Sequence, residues 1–270
     1  LARCSVTGSR LWFNCNPDHP GHWFYREWIR KTQEKHALYV HFTMADNPSL
    51  SARVRKRYER LYSGAFYDRF VLGKWTAADG LVYPMFAPER HVTAKAPPCD
   101  RHWISCDYGT VNPSSFGLWG HCDGVWYRLE EYYYDARAMG ERRTDEEHYA
   151  ALEQLAAGYA IEAVVVDPSA ASFIACIQRH GRFRVLRADN NVNAGIQQVS
   201  RLLQQDRLRF CEACRDIRRE FGLYCWSDSI RGDAPKKEND HAMDDMRYFV
   251  STVACRNPES GFFAVSAGRR

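Results

Sequence analysis

Two strongly apolar runs in this chain each end in an aspartate, and this pattern constrains the fold more than any other feature. The first run spans residues 103–107 and ends in Asp107, and the second spans 164–167 and ends in Asp167. Short apolar runs bounded by turn residues are typical of buried strands. A third acid, Asp244, lies in a segment flanked by helix-forming residues. The pattern predicts an α/β fold that delivers distant carboxylates to one place.

The order of the predicted elements narrows the choice of fold. Three strands joined by turns come first, and helices then alternate with strands. The predicted strands span 103–107, 115–119, 124–134, 161–166 and 183–186. The predicted helices span 144–158, 172–180, 192–205 and 240–254. Thr144 and Glu147 form a capping box at the start of the first of these helices. This order is that of an RNase H-like α/β fold, a mixed sheet flanked by helices.

Residues before position 98 have a different character. They predict short strands and helices: strands at 10–13 and 38–42, and helices at 22–30, 53–58 and 67–72. The segment Ala94-Lys95-Ala96-Pro97-Pro98 is typical of a linker. We therefore expect four regions, 1–37, 38–97, 98–257 and a tail at 258–270. Because the chain opens on Leu1 and runs directly into an apolar segment, we expect its first region to be the end of a larger domain.

The three aspartates suit a divalent-metal site. Carboxylates brought together repel one another unless a cation offsets the repulsion. Mg²⁺ and Mn²⁺ prefer oxygen ligands, and two such ions about 3.5–4 Å apart can clamp the attacking and leaving oxygens in phosphodiester hydrolysis. We predict that Asp107, Asp167 and Asp244 hold two Mg²⁺ or Mn²⁺ ions. His241 is predicted beside them, because it shares a helix face with Asp244.

Each acid also has a structural interpretation. Asp107 can cap the turn after its strand, and Asp167 can cap a helix that begins with proline. Asp167 is also placed like the acid of a Walker B strand, but no G-x-x-x-x-G-K-[ST] motif occurs in the sequence. An acidic helix start accounts for the third acid equally simply. Asp244 and Asp245 compete for that third position, and the spacing from His241 favours Asp244.

The chain carries a mild positive charge and a cluster of arginines. The formal net charge is +4, which permits a polyanionic partner without requiring one. Candidate phosphate-binding residues lie in the stretch 201–219 and in the loop before the last helix: Arg207, Arg209, Arg215, Lys236 and Lys237. A solvated helix face explains the arginine stretch at least as well. Glu130 offers a fourth carboxylate, although surface exposure is the better explanation for it.

The cysteines and the apolar segments indicate in which cellular compartment the protein is expected. Cys211 and Cys214 form a lone C-x-x-C, which is too little for a zinc site, so we expect buried free thiols. No apolar run has membrane-spanning length and no signal peptide is apparent, so we expect a cytoplasmic protein without a membrane partner.

Several ordered segments resemble the C-terminal part of the large subunit of the tailed-bacteriophage terminase. They are 11–17, 66–75, 80–86, 107–113, 166–168 and 240–248. Each segment is modest alone, but the ordered set covers nearly the whole chain. The resemblance implies the last part of a P-loop packaging ATPase domain and a small helical linker, followed by an RNase H-like nuclease domain. In the ATPase remnant, Asn14 and Asn16 match a segment that couples ATP hydrolysis to movement.

The resemblance also implies an activity and partners. The family's nuclease triad maps to Asp107, Asp167 and Asp244, with His241 as the nearby histidine. The implied enzyme is a two-metal endodeoxyribonuclease that cleaves concatemeric double-stranded DNA during genome packaging, and ATP acts only with a region that precedes this chain. The implied partners are double-stranded DNA, the portal protein and the small terminase subunit, and the resemblance implies a ring of subunits on the portal. The implied location is the host cytoplasm, with transient docking on the procapsid.

Two alternatives remain open. One is an RNase H-like resolvase or transposase, which residues 1–95 disfavour because they resemble the end of a motor domain. The other is a non-catalytic module that docks on DNA or portal and uses its acids as structural caps.

Overall fold

The computed structural model describes residues 7–60, 62, 64–76, 78, 80–227 and 233–255. These residues fall into two units. One comprises the described residues of Leu1–Asp79 and Ser227–Asp233, and the other those of Gly80–Trp226 and Ala234–Arg270. The tail expected at 258–270 lies outside the described residues. The four functional regions expected from the sequence stay predictions, because a division into units does not test functional boundaries.

The first unit is built from short helices. They are α1 (Trp23–Glu27), α2 (Ala52–Glu59) and α3 (Gly64–Phe70), with 3₁₀ turns at Ile29–Lys31 and Met44–Asp46. Helix α2 begins at its cap, because the Ser51 hydroxyl accepts a hydrogen bond from the backbone of Val54. Arg69 of α3 is buried and forms ion pairs with Asp18 and Asp233. This buried cation links segments of the unit that are far apart in sequence.

Two strands predicted in this unit are wrong. Residues 10–13 and 38–42 form no strand, and Trp12 and Leu38 are 84% and 86% exposed. A strand needs a neighbour to satisfy its backbone N–H and C=O groups. The described residues provide no such neighbour here, so apolar content alone does not make these segments strands.

The second unit is a mixed sheet with helices on both faces. Its strands are β1 (Val92–Thr93), β2 (Arg101–Asp107), β3 (Ser114–Cys122), β4 (Val125–Tyr134), β5 (Ile161–Val166), β6 (Val185–Arg187) and β7 (Leu208–Cys211). Its helices are α4 (Pro88–His91), α5 (Ala136–Met139), α6 (Asp145–Leu155), α7 (Ala171–His180), α8 (Val192–Gln204), α9 (Arg215–Phe221) and α10 (His241–Phe249). Helix α10 continues as a π-helical segment, Val250–Ala254. These elements extend from residue 88 to residue 254.

The sheet order confirms the predicted RNase H-like architecture. Within the described residues the seven strands run in the order β1-β7-β4-β3-β2-β5-β6. Strands β2, β3 and β4 are antiparallel neighbours. Strands β5 and β6 extend the sheet from β2 in parallel, and β7 and β1 extend it in parallel from β4. Three hairpin-connected strands therefore form the middle of a mixed sheet.

Side chains on β2 alternate between two helical layers. Ile104 and Cys106 lie in the core shared with α6 and α7. Trp103 faces the other layer, where its ring contacts Phe249 of α10 at a centroid distance of 6.4 Å. Because the side-chain period of a strand is two, Ser105 and the residue that ends β2 face α10 as well.

Stacked aromatic rings hold α10 against the sheet. Phe249 is fully buried and stacks on Trp119 of β3, with centroids 4.4 Å apart and ring planes 2° from parallel. Trp126 of β4 meets the same ring edge-on. Burial of one such ring contributes about 1.5–3 kcal/mol. This packing fixes the helix that carries the predicted His241 and Asp244.

The arginine-rich stretch 201–219 contains two elements that the sequence did not separate. Strand β7 buries Leu208 and Phe210, and α9 buries Ile217 and Phe221. A four-residue strand offers too few positions for its alternation to be recognised. Among the described residues, no helix is long and apolar enough to cross a membrane.

Candidate metal centre

The ends of β2 and β5 place two of the predicted acids side by side. The strands are parallel neighbours, and Cys106 pairs with Val166. Asp107 is the last residue of β2 and Asp167 directly follows β5. Neighbouring strands lie about 4.8 Å apart. By alternation both acids face α10. The Tyr248 hydroxyl of that helix donates a 2.7 Å hydrogen bond to Asp167 Oδ2.

Helix α10 brings the other two predicted residues over these strand ends. His241 and Asp244 are three residues apart, so they share one helix face. Nδ1 of His241 lies 2.8 Å from Oδ2 of Asp107. Oδ1 of Asp244 accepts a 2.9 Å hydrogen bond from Nη2 of Arg247. His241 therefore lies at the end of β2, and Asp244 lines the same surface as Asp107 and Asp167.

One open cleft of about 530 Å³ is lined by all four predicted residues. Its other polar residues include Asn112, Tyr133, Arg137, Arg219, Lys237 and Asp240. Lys237 Nζ lies 3.5 Å from a carboxylate oxygen of Asp240 and 3.5 Å from one of Asp244. The carboxylates attract cations, and the guanidinium groups are suited to phosphate oxygens.

Burial and mutual repulsion perturb the acids of the cleft. Burial raises the pKa of Asp107 to about 7; the hydrogen bond to His241 opposes this shift and the charge of Asp244 adds to it. Burial lowers the pKa of His241, but its contact with Asp107 outweighs burial and leaves that pKa raised. Burial and the charge of Asp244 raise the pKa of Asp240. A divalent cation would relieve this crowding, so the all-oxygen donor set fits a hard metal ion.

Asp245 lies beneath α10 and not in the cleft. Both Asp245 and Arg128 are fully buried, and Nη2 of Arg128 lies 3.0 Å from Oδ2 of Asp245. The hydroxyls of Ser105 and Ser115 donate to the same carboxylate. Gly117 leaves room for the guanidinium, because a Cβ there would lie 2.2 Å from Arg128 Nη1. With Asp245 engaged in this network, the geometry favours Asp244 in the cleft.

Glu220 of α9 caps the N-terminus of α10, and the sequence analysis missed it. The side chain is fully buried, and Oε2 accepts hydrogen bonds of 2.8 and 3.3 Å from the backbone of Ala242 and Met243. Oε1 accepts one of 2.8 Å from the Tyr133 hydroxyl. A carboxylate here satisfies free backbone donors and is favoured by the helix dipole. The cap fixes the first turn of α10, where His241 lies.

The predicted phosphate-binding residues are dispersed over the unit. Lys237 lines the cleft, and Lys236 is exposed beside it. Arg207 donates a 3.0 Å hydrogen bond to a carbonyl in the β3–β4 turn. That turn follows Cys122, whereas β3 begins at Ser114 beside the cleft; the eight residue steps between these two ends span roughly 26 Å. Arg209 and Arg215 do not line the cleft among the described residues. Arg219, the last arginine of the predicted stretch 201–219, does line it, as does Arg137, which lies outside that stretch.

The remaining candidates lie outside the cleft. Asn14 and Asn16 are exposed and line a cavity of about 300 Å³ within the first unit. Cys211 and Cys214 are both buried free thiols, as predicted. Glu130 is exposed, which agrees with its surface interpretation.

The fold and the acids define the class of this unit. A mixed sheet with carboxylates at the ends of two parallel neighbours, crossed by an acidic helix, is an RNase H-like domain. A family model described as the N-terminal part of the T4-like-virus type of terminase large subunit matches residues 2–89. The chain belongs to the terminase large subunit family.

Solved structures agree with this assignment. The large terminase of a thermophilic bacteriophage, in complex with ADP, is 45% identical over 94% of this chain, with a TM-score of 0.88. The same phage protein in complex with ATP-γ-S gives 45% identity over 93% of the chain and a TM-score of 0.87. This chain spans 65% of the length of that large terminase.

A more distant structure shares part of this fold. The nuclease domain of the P22 large terminase matches 64% of this chain and 91% of its own length, at 17% identity and a TM-score of 0.51. At this identity the likeness concerns the fold alone. No curated relative matches the sequence.

Proposed function

We propose that this chain carries the nuclease of a terminase large subunit and cleaves concatemeric double-stranded DNA during genome packaging. The observation that carries the proposal is that Asp107, Asp167 and Asp244 line one cleft although they are far apart in sequence. Family membership supports it, because the large subunit is the packaging protein. The cleft is open and edged by cationic side chains, which suits a phosphodiester substrate.

Asp107, Asp167 and Asp244 would hold two Mg²⁺ or Mn²⁺ ions. All three offer carboxylate oxygens, the donors that such hard cations prefer. The burial that raises the pKa of Asp107 makes an uncompensated charge unfavourable in this cleft. When bound, the ions would lower the pKa of the attacking water and stabilise charge on the leaving oxygen.

The chain's own residues orient these carboxylates. His241 Nδ1 donates to Asp107 Oδ2, which holds one oxygen in place. Arg247 donates to Asp244 Oδ1 and leaves Oδ2 directed toward the cleft, 3.5 Å from Lys237. Partners that fix the orientation of ligands are commonly worth 10–100-fold in metal affinity or activity, on the order seen for other metal sites. His241 is therefore proposed as a positioning group for Asp107.

Cationic residues at the edge of the cleft are proposed to hold the DNA backbone. Arg137, Arg219 and Lys237 line the cleft and would contact phosphates beside the scissile bond. Arg207, Arg209, Arg215 and Lys236 would contact phosphates further along the duplex. Such binding is tolerant of sequence and weakens as the salt concentration rises.

The packaging role of the whole protein is part of the same proposal. Asn14 and Asn16 are proposed to couple ATP hydrolysis to movement together with a nucleotide site outside these 270 residues. The proposed partners are double-stranded DNA, the portal protein and the small terminase subunit, with a ring of subunits on the portal. The proposed location is the host cytoplasm, with docking on the procapsid.

Plasmid cleavage tests the proposal. We expect Asp107→Asn and Asp167→Asn each to reduce Mg²⁺- or Mn²⁺-dependent cleavage by at least about 100-fold, since each loses a metal ligand. Asp123→Asn is the matched control, because Asp123 is exposed in the β3–β4 turn at φ 50°, a conformation that asparagine tolerates. Undiminished cleavage by the folded Asp107 and Asp167 variants would contradict the proposal. Faster cleavage of a branched junction than of linear duplex would instead favour a resolvase.

A further inference from the structure

A second cluster of metal-ligating side chains lies between α6 and α7, outside the cleft. It consists of Glu146 from α6 and of Cys176 and His180 from α7. One donor atom of each residue lies within 4.8 Å of the others. Cys176 and His180 are four residues apart, so consecutive turns of α7 present them on one face. His180 Nε2 already lies 2.7 Å from Glu146 Oε2.

The donors are held in place by their surroundings. The His180 ring stacks on Tyr149 of α6, with centroids 3.8 Å apart and planes 6° from parallel. Cys176 is 2% exposed and belongs to the core between the helices and the sheet. The buried sulfur therefore has little freedom, whereas the exposed side chains of Glu146 and His180 leave two donors that can adjust around an ion.

A side-chain cation occupies the space between two of these donors. Arg179 Nη2 donates to Glu146 Oε1 and also lies 3.8 Å from Cys176 Sγ. The Arg179 side chain is 68% exposed. An exposed ion pair contributes little stability, so the guanidinium can move into solvent at small cost. The cluster thus already attracts positive charge to the position that a metal ion would take.

We propose that Glu146, Cys176 and His180 form a site for a borderline-soft divalent cation, with Zn²⁺ as the chemical match, and that Arg179 fills this site in the metal-free chain. A thiolate, an imidazole and a carboxylate are three donors typical of zinc, and a water completes four-coordination. Magnesium disfavours sulfur, so the cluster and the all-oxygen cleft select different metals.

Metal binding here would act on the cleft through one residue. Tyr108 follows Asp107, stacks on Phe173 of α7 at 4.7 Å, and donates a hydrogen bond to Asp145 of α6. A metal that joins α6 to α7 would steady both contacts of Tyr108. The expected role is therefore structural support of the strand end that carries Asp107.

Binding would displace a proton from the thiol. Burial, and then the charge of Glu146, raise the pKa of Cys176 above its ordinary value, so the sulfur is protonated at neutral pH. A metal must displace that proton, and its affinity should therefore increase as pH rises.

Titration with Co²⁺, followed by its thiolate-to-metal charge-transfer absorption, tests the site. We expect one equivalent to produce this band in the whole chain, and in Asp107→Asn, because oxygen ligands in the cleft give no thiolate band. Cys176→Ser should abolish it, whereas Cys122→Ser, at a partly exposed thiol of β3, should leave it unchanged.

Surface variants keep the test decisive if Cys176→Ser does not fold. Glu146→Gln and His180→Gln each remove a direct ligand, so each should weaken Co²⁺ binding by at least about tenfold. Arg179→Ala should tighten it, because the competing cation is gone. The proposal is overturned if the wild-type chain gives no band, if the band survives in folded Cys176→Ser, or if both glutamine variants bind Co²⁺ as tightly as wild type.

Discussion

Replacing Asp245 by asparagine separates the two neighbouring acids of α10, because one is expected to serve stability and the other cleavage. Asp245 and Arg128 are both fully buried and face each other beneath the helix. Asp245→Asn removes one charge of this pair and leaves the guanidinium without its main counterion. We expect a large loss of stability together with a secondary loss of cleavage.

The magnitude follows from the surroundings of Arg128. Removing one partner of a buried ion pair costs about 3–5 kcal/mol. Glu131 lies 3.4 Å from Arg128 Nε and is 6% exposed, so a second carboxylate offsets part of the loss. The asparagine carbonyl can still accept from one of the two serine hydroxyls, although its amide nitrogen replaces the oxygen that accepts from the other. The expected loss is therefore near the lower limit, about 3 kcal/mol of unfolding free energy.

Urea unfolding measures this loss. With a denaturant slope of about 1–3 kcal/mol per molar urea, the midpoint should fall by roughly 1–3 M. Asp167→Asn is the matched comparison, because Asp167 is partly exposed and its side-chain oxygen can still accept from Tyr248. That variant should unfold within about 0.5 kcal/mol of wild type and lose cleavage.

A reversed pattern would refute this reasoning. If Asp245→Asn unfolds at the wild-type urea concentration and yet loses cleavage like Asp167→Asn, then Asp245 acts in the metal centre and not in a buried ion pair. An unchanged midpoint with full cleavage would show that the Arg128 pair does not stabilise the fold.

Two further perturbations test the support of the cleft and the core behind it. Gly195→Ala would place a Cβ 2.4 Å from Arg247 Cγ, and Arg247 is 2% exposed, so the group that holds Asp244 must shift. We expect the cleavage rate of Gly195→Ala to fall about 10–100-fold. Gly222→Ala is the control and should cleave at the wild-type rate, because the nearest atom to its new Cβ, the Arg219 carbonyl oxygen, lies at 3.6 Å. Equal cleavage rates for the two variants would contradict this reasoning. Burial lowers the pKa of His148 to about 4 in the folded chain. As the pH decreases, the unfolded chain therefore takes up this proton at a higher pH than the folded chain does. The free energy of unfolding should decrease by on the order of 3 kcal/mol as the pH is lowered from about 6.5 to about 4. Urea midpoints across this range should flatten in His148→Phe, and an unchanged slope would exclude His148 as the cause.

Local patterns predict the parts of this site that depend on one segment. Strands β2 and β5 are continuous apolar runs, and an acid ends each predicted run, so Asp107 and Asp167 follow from strand geometry. His241 and Asp244 follow from helical spacing in the same way. The same reasoning gave a wrong strand at 38–42, because apolar content does not reveal whether a partner strand is present.

Contacts between residues that are far apart in the chain could not be predicted from the sequence. The ion pair of Arg128 and Asp245 joins residues 117 positions apart, and Glu220 caps a helix that begins more than twenty positions later. Nothing near either residue indicates its partner. The spacing from His241 favoured Asp244 over Asp245, but the buried partner of Asp245 emerges only from the packing of α10 on the sheet.

Side-chain alternation on β2 has a consequence for how this site can change in evolution. Inserting one residue in the strand would turn its terminal acid toward the core of α6 and α7, where Ile104 and Cys106 are fully buried. Inserting two residues would return the acid to the face that contacts α10, but it would move the acid about 6.6 Å along the strand, away from Asp167 at the end of the neighbouring parallel strand. The length of the strand is therefore locked to the position of Asp107. Divergent copies of this domain can lengthen the turns around the cleft, but the strands that end in the acids must keep their residue count.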